Sequence, residues 1–241
     1  MAKAKPAFEQ ITPHIHKLNL LAFGGILPVG VWLVQGAGGW TVVDAGAPSF
    51  EKLILEQILV QTGGAIPKHL ILTHGHADHG AAAQLMREQW NLLIAAGRAE
   101  IPYLVGPAHY NRIPSPSLQY RLLQISGPPL IGRNVQLPLD EGMHIGDLAV
   151  FAAPGHAPGQ VALLHRADRA LICGDAFANF GGRLGDPLAA FTYDMDLAHR
   201  SQARLAELEF DHLLASHGPP VMNTAREEIR ALFAHRAKKK R

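Results

Sequence analysis

Apolar residues fall along this chain in two rhythms: short alternating or continuous runs bounded by Gly and Pro, and longer stretches recurring every three or four residues. The short runs predict strands near residues 14–21, 30–35 and 40–44. Leu53, Ile54, Gln57, Ile58 and Gln61 take up helical spacing over 50–61, with Ser49 as N-cap and Gly63-Gly64 as the stop. A strand at 70–73, a helix at 81–89 and a strand at 92–95 follow. Further strands fall at 143–152, 161–165 and 170–173, then a helix at 196–208 and a strand at 212–215. A closing helix at 224–237 carries Ile229, Leu232 and Phe233 on one face. Strands mixed with helices in both halves imply two sheets packed together and covered by helices on both outer faces.

Composition narrows this picture to one globular domain over residues 1–241. Hydrophobic residues make up 48% and charged residues 17%, enough for a sizeable core and too apolar for disorder. The uncharged stretch 18–43 raises a transmembrane question, but its glycines, Pro28, Asn19, Gln35 and Thr41 break it into a buried hairpin. The formal charge is +2, part of it in Lys238-Lys239-Lys240-Arg241, which reads as a solvated helix end. Neither nucleic acid nor membrane is an expected partner, and the pattern is open to a homodimer. Residues 1–10 are short, polar and charged, unlike a cleavable signal peptide. The single Cys173 excludes an intramolecular disulfide and fits a reducing cytoplasm.

The run Thr73-His74-Gly75-His76-Ala77-Asp78-His79-Gly80 places four candidate metal ligands directly after the strand at 70–73. A turn leaving a strand can aim alternate side chains at one point. His74 and His76 then converge on one cation, while Asp78 and His79, at the start of the next helix, point to a second position close by. Imidazole and carboxylate suit zinc or another late first-row divalent ion. Structural zinc sites close with four protein ligands, often thiolates, whereas histidine and carboxylate in a chain with one cysteine leave room for water, as catalysis requires. A histidine-rich surface loop that binds metal adventitiously is the bland alternative. Three more candidates recur at strand ends: His156 in Ala153-Pro154-Gly155-His156-Ala157-Pro158-Gly159, Asp175 closing the run from Ala170, and His217 before Gly218-Pro219-Pro220. Each sits where a short buried strand gives way to Gly or Pro, which is how a sheet presents side chains to one edge.

His74-x-His76-x-Asp78-His79, with His156, Asp175 and His217 following in that order, resembles the metallo-β-lactamase superfamily of dinuclear metal hydrolases over residues 29–218. The resemblance implies an α/β fold, the four-layer αββα sandwich. It also implies that His74, His76 and His156 hold a first metal, that Asp78, His79 and His217 hold a second, and that Asp175 bridges both. Two Zn2+ per chain are expected, with Fe or Mn as alternatives. Asp44, in Trp40-Thr41-Val42-Val43-Asp44-Ala45-Gly46, matches the family's strand-then-Asp feature and is expected to support the site from behind. Two cations roughly 3.5 to 4 Å apart bring the pKa of a shared water near 7 and supply a hydroxide nucleophile. Asp78 and Asp175 are the expected catalytic carboxylates, Asp78 orienting the nucleophile and passing its proton to the leaving group. Cys173 as a covalent nucleophile has no partner histidine indicated.

Departures from the family's branches bear on the substrate. Asp175 disfavours the β-lactamases that use cysteine at the bridging position, Cys173 lying upstream of it. Few residues follow His217, so the helical extension of the glyoxalase II thioesterases is expected to be missing. The acyl-homoserine lactonases resemble this chain in size and ligand set, but their tyrosine three residues beyond the bridging Asp is Ala178 here. An ester-like carbonyl is the expected target, a lactone such as an acyl-homoserine lactone first, with β-lactamase or thioesterase activity as the alternative. Phosphodiester hydrolysis and iron-based redox chemistry are alternatives of another class, the first opposed by near-neutral charge and the second by the lack of an attached flavin domain. A non-enzymatic binding module is opposed by the complete ligand set. The Pro-rich segment 98–135, with Leu118, Leu122 and Ile125 on one side of a short helix, is expected to rise over the metals as a lid. Its apolar character implies a neutral, partly apolar small-molecule substrate, although Arg112, Arg121 and Arg133 offer a grip on an anion if they are not solvated. Tyr103, Tyr110, Tyr120 and Tyr193 are candidates to assist the carbonyl, and Phe177, Phe180, Leu184 and Phe191 to form the opposite wall. Plain packing is the alternative for each.

Overall fold

Alternation along the strands sorts the apolar side chains into layers. The structure is a computed structural model that describes residues 5–22, 24–105, 115 and 135–239. In chain order the first half comprises β1 (Phe8–Gln10), β2 (Ile15–Ala22), β3 (Leu27–Gly36), β4 (Gly39–Val43), α1 (Glu51–Gln61), β5 (His69–Leu72), α2 (Ala77–Gly80), α3 (Ala83–Trp90), β6 (Leu93–Gly97) and α4 (Ile101–Val105). The second half comprises β7 (Leu137–Leu139), β8 (His144–Ile145), β9 (Leu148–Ala152), β10 (Val161–His165), β11 (Ala170–Gly174), β12 (Ala178–Phe180), β13 (Arg183–Gly185), α5 (Met195–Leu205), β14 (His212–Ala215) and α6 (Ala225–Lys239). β1 to β7 lie in sequential order in a seven-stranded sheet, and a five-stranded sheet has the order β14-β11-β10-β9-β8.

Trp32, Val34, Val43 and Ile71 of the first sheet meet Val150, Leu163, Ile172 and Leu214 of the second in a central core. One position along the same strands, Val31, Leu33, Val42 and Leu70 face the other way, onto Ile54 and Ile58 of α1 and Ala83 and Met86 of α3. Leu171 and Leu213 likewise face Leu205 of α5 and Ala225 and Ile229 of α6. The result is the expected helix, sheet, sheet, helix sandwich, in which each buried Leu, Ile or Val contributes about 1.5–3 kcal/mol. No helix among the described residues is long and apolar enough to cross a membrane.

Several expected boundaries move. The predicted helix at 81–89 begins earlier and breaks in two: Ala77–Gly80 forms a separate turn of helix carrying Asp78 and His79, and α3 starts at Ala83. Ser49 is not an N-cap, because α1 starts at Glu51 and Ser49 takes a left-handed φ of 76°. The strand predicted at 143–152 divides into β8 and β9, since Gly146 at φ 56° turns the chain back on itself. β1, β7 and the β12–β13 hairpin, three residues per strand, are too short to leave a pattern. The buried hairpin in 18–43 is present as β2, β3 and β4, paired antiparallel.

At the end of the sandwich where β10 turns into β11, the Asp168 carboxylate accepts Thr12 Oγ1 and the His14 amide (2.9 Å) and lies 2.6 Å from His14 Nδ1. These bonds tie the segment between β1 and β2 to the β10–β11 turn. His165 is occupied there as well, its Nδ1 accepting the Asp168 amide.

The inner face of β2 carries a lysine where the alternation calls for an apolar residue. Lys17 is fully buried, donates from Nζ to the Gly218 carbonyl at 2.5 Å, and lies 4.8 Å from the centre of the Trp32 ring. Gly30 makes the space, since a Cβ there would lie 2.6 Å from Lys17 Cε. Burial lowers the amine from 10.5 to about 8, against the opposing pull of Cys173 and Glu9. The unfolded chain therefore keeps this proton to higher pH than the fold does, and the folded state gains stability as pH rises from about 8 to 10.5. Urea unfolding of wild type and Lys17→Met across that window should show their difference shifting toward wild type by on the order of 3 kcal/mol. A flat difference would remove the titration from Lys17.

Candidate metal centre

Parallel pairing brings the ends of β4 and β5 together in one sheet and of β11 and β14 in the other. β9 runs antiparallel to β10, as does β11, so β9 points the same way as β11. The segments leaving these strands meet on one edge. There His74, His76, His156, Asp78, His79, Asp175 and His217 converge, as expected from the sequence.

The donors form adjoining groups. His76 Nδ1 lies 3.0 Å from both His74 Nε2 and His156 Nε2. That spacing is near the roughly 3.3 Å that separates tetrahedral ligands held at 2.0–2.1 Å from zinc. In the second group, His217 Nε2 is 3.5 Å from Asp78 Oδ2, and His79 Nε2 is 3.8 Å from the same oxygen. Asp175 stands between the groups: Oδ1 is 3.5 Å from His79 Nε2, while Oδ2 is 3.4 Å from His156 Nε2 and 3.0 Å from His217 Nε2. The ligand atoms of each trio, with Asp175 joining His74 and His79 in a third, lie within 4.8 Å of one another.

Outward bonds fix which nitrogen faces in. His79 Nδ1 donates to Asp44 Oδ2 (2.9 Å) and His217 Nδ1 to the Pro28 carbonyl (2.8 Å). Thr192 Oγ1 gives its proton to the Leu188 carbonyl and so accepts from His156 Nδ1 at 3.2 Å. Thr73 Oγ1 is bonded to Asp44 and lies 3.1 Å from His74 Nδ1. Each of these rings thereby turns its Nε2 toward the cluster. Asp44 is fully buried at φ 60° and also accepts the Thr73 amide, so it holds the site from behind and does not face the cluster.

Electrostatics separate the two groups. Burial holds His74 and His156 well below the ordinary 6.5 and brings His76 to about 4, so these imidazoles are neutral. At His79 burial also acts downward, but Asp175, Asp78 and Asp44 outweigh it and lift the ring to about 10. Asp175 likewise raises His217 against burial. Burial would raise Asp175, yet His217, His79 and His156 hold it well below the carboxylate range. His79 Nε2 and Asp175 Oδ1 are buried and face each other without a hydrogen bond. A cation between such orphaned donors satisfies both, so the nitrogen and oxygen set fits divalent metal.

Other expectations fare differently. Phe180 stacks on His217 with ring centres 5.9 Å apart and lines the site. Phe177 does not: the turn after Asp175 sends it, fully buried, into the outer core with Leu205 and Ile229. Leu184 packs on that same outer core, and Phe191 is exposed. Tyr103 is half-buried on α4; partial burial and nearby Glu100 and Tyr193 raise its hydroxyl. Tyr110 and Tyr120 lie outside the described residues, as do Arg112, Arg121, Arg133 and most of the expected lid. Cys173 sits in the outer core, where burial pushes its thiol to about 12. Sequence reasoning missed Thr192, the Pro28 carbonyl and Glu100. Only Thr73, directly before His74, had a local signal.

A buried cluster of imidazoles and carboxylates, two donor groups sharing one aspartate at the edge of an αββα sandwich, defines a metallo-hydrolase. The chain belongs to the metallo-β-lactamase superfamily, whose profile matches residues 24–217. The probable metallo-hydrolases YybB and YflN of Bacillus subtilis (strain 168) are similar: YybB is 26% identical over 81% of this chain and 83% of its own, YflN 32% over 76% of each. A hydroxyacylglutathione hydrolase of Shewanella loihica is 28% identical over 87% of this chain and 71% of its own. Among solved structures, TTHA1623 in a di-iron-bound form is 27% identical with a TM-score of 0.63, covering 84% of this chain and 94% of that one.

Asp175→Ala and His156→Ala should each lose bound metal and roughly a hundredfold or more in kcat/KM, read by elemental analysis beside kinetics. Cys173→Ala should keep metal content and turnover within about twofold. Lost turnover in that variant with metal retained would return the thiol to the mechanism.

Proposed function

We propose that this chain is a dinuclear zinc hydrolase of ester-like carbonyl bonds, with a lactone as the first substrate class. The observation that carries the reading is Asp175, one oxygen toward His79 and the other toward His156 and His217. When bound, a pair of divalent cations supplies a water nucleophile at neutral pH and polarises the carbonyl. The chain's part is to hold the first cation with His74, His76 and His156 and the second with Asp78, His79 and His217, Asp175 serving both. Imidazole nitrogen with carboxylate oxygen suits zinc, and the di-iron relative keeps iron in play. Asp78 Oδ2 faces His79 and His217, and we assign Oδ1 to carry a proton toward the leaving group.

The surroundings support a neutral, partly apolar substrate. Phe180 covers one face of His217. Leu188 and Phe191, both exposed, flank the turn whose Thr192 anchors His156. Ile26, 85% exposed, lies just before Pro28, whose carbonyl anchors His217. Phe180 gives the cluster an apolar neighbour, and the exposed Leu188, Phe191 and Ile26 leave apolar surface on the segments that anchor it. A thioester is the second reading, favoured by the hydroxyacylglutathione hydrolase relative.

Protein purified without added metal should contain zinc near two equivalents and cleave an acyl lactone at least a hundredfold faster, by kcat/KM, than a bis-aryl phosphate. Chelation should abolish turnover and Zn2+ restore it. Thioester cleavage with lactones untouched selects the second reading, whereas phosphodiester turnover with both carbonyl substrates intact overturns both.

A further inference from the structure

The first histidine trio comes from separate segments. His74 and His76 leave β5, while His156 lies in the turn between β9 and β10. Their nitrogens meet at 3.0 Å, so a shift of even 1 Å between the segments would spoil the trio. The backbones already touch through the Val161 amide and the Thr73 carbonyl at 2.9 Å. Beyond that bond, a buried side chain joins them.

Glu100 is fully buried between β6 and α4. Its Oε1 accepts the Gly75 amide at 2.9 Å, and its Oε2 accepts the Gly159 amide at 2.7 Å. Gly75 is the residue between His74 and His76, and Gly159 closes the turn that carries His156. Both carboxylate oxygens are thus committed to ligand-bearing backbone, one to each side of the trio. The packing around this strut leaves no slack. A Cβ on Gly159 would lie 2.1 Å from the Glu100 amide nitrogen, and one on Gly97 would lie 2.0 Å from the Gly159 carbonyl oxygen. The second trio is braced elsewhere: Asp44 holds His79, Pro28 holds His217, and Lys17 holds the Gly218 carbonyl beside it.

We propose that Glu100 is a positioning residue for the first cation site: a buried carboxylate that registers the His74–His76 segment against the His156 turn through the Gly75 and Gly159 amides. It touches neither substrate nor cation. The proposal rests on the reading that His74, His76 and His156 hold a cation together. Glu100→Gln preserves the shape of the strut but turns one end from acceptor to donor, so an amide proton faces an NH2 group and one bond is lost. Glu100→Ala loses both bonds.

Stepwise Zn2+ titration of the metal-free protein by calorimetry tests this, repeated with Co2+ to read site occupancy by absorption. His76→Ala marks which step belongs to the first trio. In Glu100→Gln the His76-dependent step should weaken 10- to 100-fold, a usual size for loss of a ligand-supporting bond, while the other step changes less than threefold. In the His76→Ala background, adding Glu100→Gln should leave the remaining step within about twofold, as expected if the two residues act on one site. Glu100→Ala should weaken the same step further. Unchanged binding in Glu100→Gln overturns the proposal, as does an equal loss at both steps with a lowered melting temperature of the metal-free protein, which marks a general structural role. If wild type has no His76-dependent step, the dinuclear reading fails first and takes this proposal with it, an outcome visible before any Glu100 variant is titrated.

Discussion

The structure turns on imidazole and carboxylate atoms gathered, largely buried, at one point. Burial keeps His74, His76 and His156 neutral, and their ring nitrogens meet at close range. Such a cluster is unfavourable unless positive charge enters it. Around the second group Asp175 and its neighbouring carboxylates favour positive charge on His79 and His217. A divalent cation meets the same demand with higher charge and a geometry the donors already match. Electrostatics that would be a liability in an ordinary core is here the condition for binding.

Holding those donors in place occupies residues well behind them. Asp44 alone reaches Thr73, His79 and Ser216, taking a left-handed conformation to do so. Strain at a non-glycine residue persists only where surrounding bonds fix it, and here they do. Thr192 and the Pro28 carbonyl serve His156 and His217 in the same way. Rigid strand ends give the approximate position of each ligand, and these bonds set its rotation and tautomer.

What could be read from the sequence follows from how local each signal is. The cluster from His74 to His79 is contiguous, and His156, Asp175 and His217 each announce themselves by a strand followed by Gly or Pro. Two sheets flanked by helices were legible in the mix of strands and helices in both halves. The four-layer order came from the resemblance, since β5 and β10 are continuous apolar runs without alternation. Glu100 and Thr192 were not legible, because their partners lie far along the chain and nothing in their own neighbourhoods separates them from ordinary polar residues. Phe177 misled for a related reason: its nearness to Asp175 in sequence says nothing about which side of the sheet the intervening turn selects. Lys17 sat unnoticed in a strand pattern that Gly30, diagonally across on β3, makes room for.

The ligands also lie on both sheets. His74, His76, Asp78 and His79 follow β5 of the seven-stranded sheet, while His156, Asp175 and His217 follow β9, β11 and β14 of the other. A cation held by Asp78, His79 and His217 would therefore work as a cross-link between residues as distant as 78 and 217, closing more than half of the chain into a loop at its open edge. In a chain with one cysteine, no intrachain disulfide can do this. The entropy such a closure removes from the unfolded chain grows only slowly with loop length, but it comes in addition to the metal's own affinity, so loading should make unfolding more cooperative across the seam between the sheets. The metal is then the clasp of the sandwich as well as its reagent.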